Sequence, residues 1–151
     1  MRIGLISDTH GLLRPEAVDA LRGADLIVHA GDIGAPDVLD ALRALAPLVA
    51  VRGNNDTDGW ARAVPETRTF EAGGRRLHLL HDLKLLALDP VRERVAAVIS
   101  GHSHKPRIDT RDGIVYINPG SAGPRRFNLP VTVATLLVDD ARIAAEIVTL
   151  L

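Results

Sequence analysis

Five short polar blocks punctuate this chain, each following an apolar run: Asp8-Thr9-His10, Gly31-Asp32, Gly53-Asn54-Asn55-Asp56, His81 and Gly101-His102-Ser103-His104. They offer carboxylates, imidazoles and an amide, and no thiol, because the chain has no cysteine. This mixture of oxygen and nitrogen donors suits divalent Mn, Fe, Co, Ni or Zn. The donors outnumber the needs of one ion, so a two-metal centre is the first chemistry to consider.

Taken singly, the blocks say little: Asp-x-His and Gly-Asp are ordinary loop sequences, and Gly-Asn-Asn-Asp is rich in turn formers. Gly-His-Ser-His says more, because paired histidines after a buried strand are uncommon and imidazole is a frequent metal ligand. Asp8 and His10 are two apart, as are His102 and His104. In extended backbone such pairs point the same way, so each pair is expected to face one centre. Gly31, Gly53 and Gly101 precede Asp32, Asn54 and His102, where a residue without a side chain permits tight turns and close backbone approach. Two further histidines, His29 and His78, fall within strands and read as structural.

The elements that must position these groups alternate in the first third. Apolar runs at 2–7, 25–29 and 48–51 read as strands. Between them, 14–22 (Pro15 near its start, Gly23 past its end) and 36–45 (apolar at Val38, Leu39, Leu42 and Leu45) read as helices. That order implies parallel strands with right-handed crossovers. Later, 67–72 and 75–80 flank Gly73-Gly74, and 108–110 and 114–117 flank Arg111-Asp112-Gly113, both hairpin signals. A short helix is expected at 89–95, capped by Asp89, and another buried run at 96–100. A closing hairpin pairs 131–138 with 142–150, its second arm weakened by helix-favouring Ala144, Ala145 and Glu146. The whole reads as a single α/β domain, 1–151, with one sheet that is parallel early and antiparallel late. In such sheets sites form beyond the carboxyl ends of the strands, where every polar block falls.

The chain has 151 residues, 46% of them hydrophobic and 25% charged, which suffices for one sizeable core. A net charge of -1 gives no electrostatic reason to expect a nucleic-acid binder. No stretch approaches the roughly 20 apolar residues that span a bilayer, and the N-terminal run is too short for a signal-peptide core. No membrane association and a cytoplasmic location are therefore expected.

With these residues in view, the chain resembles the calcineurin-like metallophosphoesterases, closest to their small single-domain bacterial and archaeal phosphodiesterases. The resemblance runs from Arg2 to the terminal strands and includes Asn118-Pro119-Gly120-Ser121, with Pro124-Arg125 following. It implies a four-layer α/β/β/α sandwich with mixed sheets. It implies that Asp8, His10 and His104 hold one metal, that Asn54, His81 and His102 hold the other, and that Asp32 bridges them. Two divalent ions, manganese first, would then support phosphate-ester hydrolysis by in-line attack of a metal-bridging hydroxide, with small phosphodiesters as substrates. Asp32, Asn54, Asn55 and His81 would carry the catalytic roles.

Two residues depart from the family pattern. Asn55 stands where many members carry a histidine that protonates the leaving group, which an amide cannot do at neutral pH. Asp82 follows His81 where Gly is usual. Asp56 is open between orienting a ligand histidine and holding a turn, and Arg125 and Arg126 between phosphate contact and solvation. The competing readings are a non-catalytic scaffold of the same fold, of which the eukaryotic retromer subunit is an example, and a nucleotidase or phosphomonoesterase of the same superfamily. Aromatic residues make up 3% of the chain, so long nucleic acids are disfavoured as partners, while a homo-oligomer is left open.

Overall fold

The structure is a computed structural model describing residues 1–151. In chain order its elements are β1 (Arg2–Ile6), α1 (Pro15–Leu21), β2 (Leu26–His29), α2 (Pro36–Arg43), β3 (Leu48–Ala50), a 3-10 turn (Gly59–Ala63), β4 (Thr67–Ala72), β5 (Arg75–Leu80), a second 3-10 turn (Leu83–Leu85), β6 (Ala97–Ile99), β7 (Arg107–Arg111), β8 (Ile114–Asn118), β9 (Thr132–Val138) and β10 (Ile143–Thr149). Both helices open on Pro, whose missing N–H costs nothing in a first turn. They are too short to be stable alone. Leu21, Leu39 and Leu42 anchor them, each burial contributing about 2 kcal/mol.

The strands form two mixed five-stranded sheets rather than the one sheet expected from the order of elements. The first runs β10-β9-β1-β2-β3 and the second β4-β5-β6-β8-β7. β1 takes β2 as its parallel neighbour and β9 as its antiparallel one, so the C-terminal hairpin returns to the first sheet. The strands between are thereby excluded from it and pair with one another. The sheets pack face to face through Ile3, Leu5, Val28, Leu77, Leu79, Ile99, Ile117 and Leu136. α1 and α2 cover the outer face of the first sheet, over Ile6, Ile27 and Val133. This is the four-layer arrangement of the sandwich.

The layer outside the second sheet is irregular. Leu80, Val95, Val98 and Ile114 are covered there by Leu83, Leu86 and Leu88, from the 3-10 turn and the segment after it. No helix forms at 89–95. The Asp89 carboxylate does accept from the Val91 and Arg92 amides (3.1 and 3.3 Å), starting a turn. Arg94 then enters the left-handed region (φ 57°) and the turn stops. β10 is a strand throughout, paired with β9 from Ile143 to Thr149. Its side chains alternate, with Ile143, Ala145 and Ile147 packing inward, and that pairing overrides the helix preference of its alanines. No helix is long and apolar enough to cross a membrane.

Candidate metal centre

The carboxyl ends of β1, β2 and β3 in one sheet, and of β5 and β6 in the other, lie at one edge of the sandwich. Asp8, Asp32, Asn54, His81 and His102 follow these ends in loops that backbone bonds hold together. The Asp8 amide donates to Gly31 O at 3.0 Å, the His10 amide to Asp32 O at 2.9 Å and the Gly101 amide to His81 O at 2.9 Å. Two glycines exist for this crowding. A Cβ on Gly53 would overlap the Asp32 carboxylate, and one on Gly101 would overlap Ser7 Oγ and come within 2.7 Å of Asp8 Oδ2.

The i, i+2 spacing does not act through extended backbone. Asp8, His10, Asp32, His102 and His104 all have left-handed backbones, with φ of 55°, 47°, 54°, 72° and 62°. Such conformations cost about 1 kcal/mol or more each and gather where a site over-determines the backbone. In consequence His102 and His104 do not face one centre together. His104 Nε2 lies 3.4 Å from His10 Nε2, whereas His102 Nδ1 lies 3.3 Å from His81 Nε2 and 3.2 Å from Asn54 Oδ1.

The seven donor side chains singled out in the sequence lie in one unbroken chain of contacts. Asp32 Oδ2 is 3.3 Å from His81 Nε2 and 3.8 Å from His10 Nε2, and Asp8 Oδ1 is 3.3 Å from His104 Nε2. Two groups could each hold an ion, Asp8-His10-His104 and Asp8-Asp32-His81, with Asp8 in both. Asp8 is fully buried and its two oxygens differ. Oδ2 accepts from Ser7 Oγ (2.7 Å) and the His102 amide (3.1 Å), but Oδ1 has no hydrogen-bond donor and faces imidazole nitrogens. The other buried side-chain polar atom without a partner in this protein, His104 Nδ1, belongs to the same cluster. No Lys or Arg pairs with Asp8 or Asp32. Buried carboxylates ringed by imidazole nitrogens, with no Lys or Arg paired to them, fit divalent metal ions.

The protonation states agree. Burial pushes the Asp8 carboxyl up, but the His104, Ser7 and His81 side chains around it outweigh that and hold it below the ordinary range. Burial opposes ionisation of Asp32 as well, and the His81 and Asn55 donors reverse it, leaving Asp32 well below the usual carboxylate range. His10 is held down by burial, against the pull of Asp32 and Asp8, so its lone pair is free at neutral pH. His81 Nδ1 lies 2.7 Å from Ala30 O and donates to it, so Nε2 is the nitrogen aimed at the carboxylates. Against burial, the Asp32 hydrogen bond and the Asp8 charge raise its pKa above the ordinary value, so this nitrogen must give up a proton before it can hold a metal.

The surrounding residues divide. Asn55 donates from its backbone to Asp32 Oδ1 (3.0 Å) and from its side chain to Asp32 Oδ2 (2.9 Å). Asp56 orients no histidine: its carboxylate accepts from the Gly53, Ile33 and Gly34 amides at 2.9, 3.0 and 3.0 Å, tying the Asn54 loop to the Asp32 loop. His29 is fully buried in a relay in which the Gly31 amide donates to Nδ1 (3.1 Å), Nε2 donates to Thr9 Oγ1 (3.0 Å) and Thr9 donates to Ile33 O (2.8 Å). His78 pairs with Thr69 Oγ1 at 2.8 Å, away from the cluster. Arg125 Nε donates to Leu129 O within its own loop. Asp82 Oδ2 stops 3.9 Å from His102 Nε2. Asn118 bonds Gly101 O (2.9 Å) and Ser103 Oγ (3.0 Å), fixing the loop that carries both late histidines; its place in the Asn-Pro-Gly-Ser turn was its only sequence signal.

Residues 1–141 match the calcineurin-like phosphoesterase superfamily domain. The chain belongs to that superfamily. This phosphoesterase is 39% identical to a probable metallophosphoesterase of Methanothermobacter thermautotrophicus, over 98% of this chain and 92% of that one. It is 36% identical to another from Methanocaldococcus jannaschii, over 93% and 77%. Its fold is shared by an archaeal phosphodiesterase (22% identity, TM-score 0.80, covering 98% of this chain and 100% of that one) and by Vps29 of Chaetomium thermophilum (20% identity, TM-score 0.78, covering 99% and 97%). The family supports metal-dependent phosphoester hydrolysis, and the donor set of this phosphoesterase suits that chemistry.

Proposed function

We propose that this phosphoesterase is a single-domain, 1–151, dimetal enzyme that hydrolyses small phosphodiesters. Asp8, His10 and His104 hold one ion, Asn54, His81 and His102 the other, and Asp32 bridges them. The observation that carries this reading is the unpartnered Asp8 Oδ1, buried among the imidazole nitrogens of His10, His81 and His104. Asp32 is assigned the bridging role because its Oδ2 lies 3.8 Å from His10 and 3.3 Å from His81, one member of each ligand set, whereas Asp8 Oδ1 comes nearest to His104 (3.3 Å) and stands 3.9 Å from both His10 and His81. Two bound dications supply an acidified solvent molecule and polarise the phosphoryl oxygens.

The protein's own groups do the rest. Asn55 fixes the plane of Asp32, and Ala30 O fixes the ring of His81. The Ser7 hydroxyl is occupied donating to Asp8 and the chain has no cysteine, and with solvent as the nucleophile no Ser, Thr or Cys is needed. With Asn55 in place of a proton donor, leaving groups of low pKa are favoured. The diester preference draws support from the likeness in fold to the archaeal phosphodiesterase.

The test is elemental analysis together with assay of a chromogenic phosphodiester and monoester, with added manganese and with chelator. Two bound ions per chain and diester turnover that chelator abolishes are expected. A protein that binds no metal, or turns over neither ester, refutes the reading. Asp32→Asn is expected to remove most activity while leaving the fold; retained turnover contradicts the bridging role.

A further inference from the structure

Two cavities flank the metal centre, with Asp82 on the wall between them. The first, about 300 Å3, opens from Asn54 and His81, and its only cation is Arg52. That guanidinium is already engaged, donating to Val64 O at 2.9 Å and to Glu66 Oε1 at 3.0 Å. The second, about 420 Å3, opens from Gly101 and His102 and is lined by Lys84, Lys105 and Arg107.

The second cavity has an unusual composition. Among the 18 basic residues of the chain only Lys84 and Lys105 are lysines, and both stand here, one from the loop after β5 and one from the loop after β6. Neither ammonium takes part in an ion pair; those in the structure use Arg or His. Arg107 is exposed and holds Asp109 at 3.4 Å. The cavity also has the only Tyr, Tyr116, on its wall, with the Arg111 guanidinium 4.1 Å over the ring. Against these cations stands one acid, Asp82. Two free ammonium groups beside a phosphate-processing centre are a ready binding site for an anion.

We infer that this cavity receives a second anionic group on the substrate, so that the preferred substrates are phosphate esters whose organic group itself carries a phosphate or another anion. This rests on the phosphoesterase reading for the first phosphate, which the metals would take. Lys84 and Lys105 take the second, and the rigid wall of Tyr116 and Asn118 bounds the group between. The cavity lies within the size range of small-molecule sites, and its two unpaired ammonium groups favour an anionic ligand.

The experiment compares two chromogenic diesters that differ by one phosphate: the 5′-(p-nitrophenyl) ester of thymidine 5′-phosphate and its 3′-phosphorylated counterpart. It uses the manganese-loaded full chain, wild type and Lys84→Gln/Lys105→Gln, with metal content measured for both. In parallel, calorimetry measures binding of thymidine 3′,5′-bisphosphate and thymidine 5′-monophosphate. The wild type is expected to prefer the 3′-phosphorylated ester by about tenfold in kcat/KM, mainly through KM, and to lose preference as salt rises. In the double variant the ratio falls to near one. Equal kcat/KM for the two esters in the wild type, or a preference that survives in the variant, overturns the inference. Should neither ester turn over, the phosphoesterase reading fails separately, and calorimetry still decides the cavity. A bisphosphate that binds no tighter than the monophosphate, or equally to wild type and variant, overturns it.

Discussion

The side-chain amide of Asn55 donates to Asp32 Oδ2 at 2.9 Å while its backbone amide donates to Asp32 Oδ1 at 3.0 Å, so one residue grips both oxygens of the central carboxylate. The position that departs from the family pattern is thus a positioning residue. Asn55→Ala removes the side-chain grip and keeps the backbone one. It is expected to lower metal affinity or activity by about tenfold with the fold intact, as supporting hydrogen bonds to metal ligands do. Metal titration followed by fluorescence or calorimetry checks this; unchanged affinity and activity would remove Asn55 from the site.

Asn55→His bears on the leaving group. With esters of graded leaving-group pKa, the wild type is expected to slow steeply as that pKa rises, and the variant less steeply, because an imidazolium can protonate the departing oxygen. Equal slopes would count against the idea.

Asp56 satisfies three amides from two loops while only 6% exposed. Asp56→Ala strands all three, at a cost of about 3 kcal/mol or more. Asp56→Asn retains one acceptor oxygen and is expected to lose about half as much. Denaturation midpoints in chelator, which separate this effect from metal binding, provide the check.

His29 is fully buried and neutral, its pKa pushed down to about 4 by burial, against an ordinary 6.5. Above pH 6.5 both native and unfolded forms are neutral there and stability is indifferent to pH. As pH falls from 6.5 toward 4, the unfolded chain takes a proton that the native one refuses, and about 3 kcal/mol is lost. His29→Gln is expected to be less stable at pH 8 but to lose less between pH 6.5 and 4. An unaltered acid slope in urea titrations would disprove the assignment.

His81 shifts the opposite way. Burial pulls it down, but the Asp32 hydrogen bond and the Asp8 charge raise it above 6.5 in the metal-free protein. That shift contributes stability present below pH 6.5 and lost as pH rises through the raised value. A metal must displace the same proton from Nε2. Metal affinity is therefore expected to fall by about tenfold per unit as pH drops below the raised value. Manganese titrations from pH 6 to 8 should register this in the wild type and less of it in His81→Asn.

Much was legible in the sequence because it is local. Runs of apolar residues placed β1, β2, β3 and β5, prolines opened α1 and α2, and polar blocks after strand ends marked Asp8, Asp32, Asn54, His81 and His102. Which strands are neighbours was not legible, because β1 chooses β9 from more than a hundred residues away, and only packing both faces of two sheets decides that. The same holds within the site. Spacing gave His102 and His104 one direction, but left-handed turns send them to opposite ends of the cluster. Nothing local distinguishes Asp56 from a turn residue or places Lys84 and Lys105 on one cavity. Composition and periodicity fix which groups reach the rim; what each group touches there is set by backbone conformation and by contacts between distant loops.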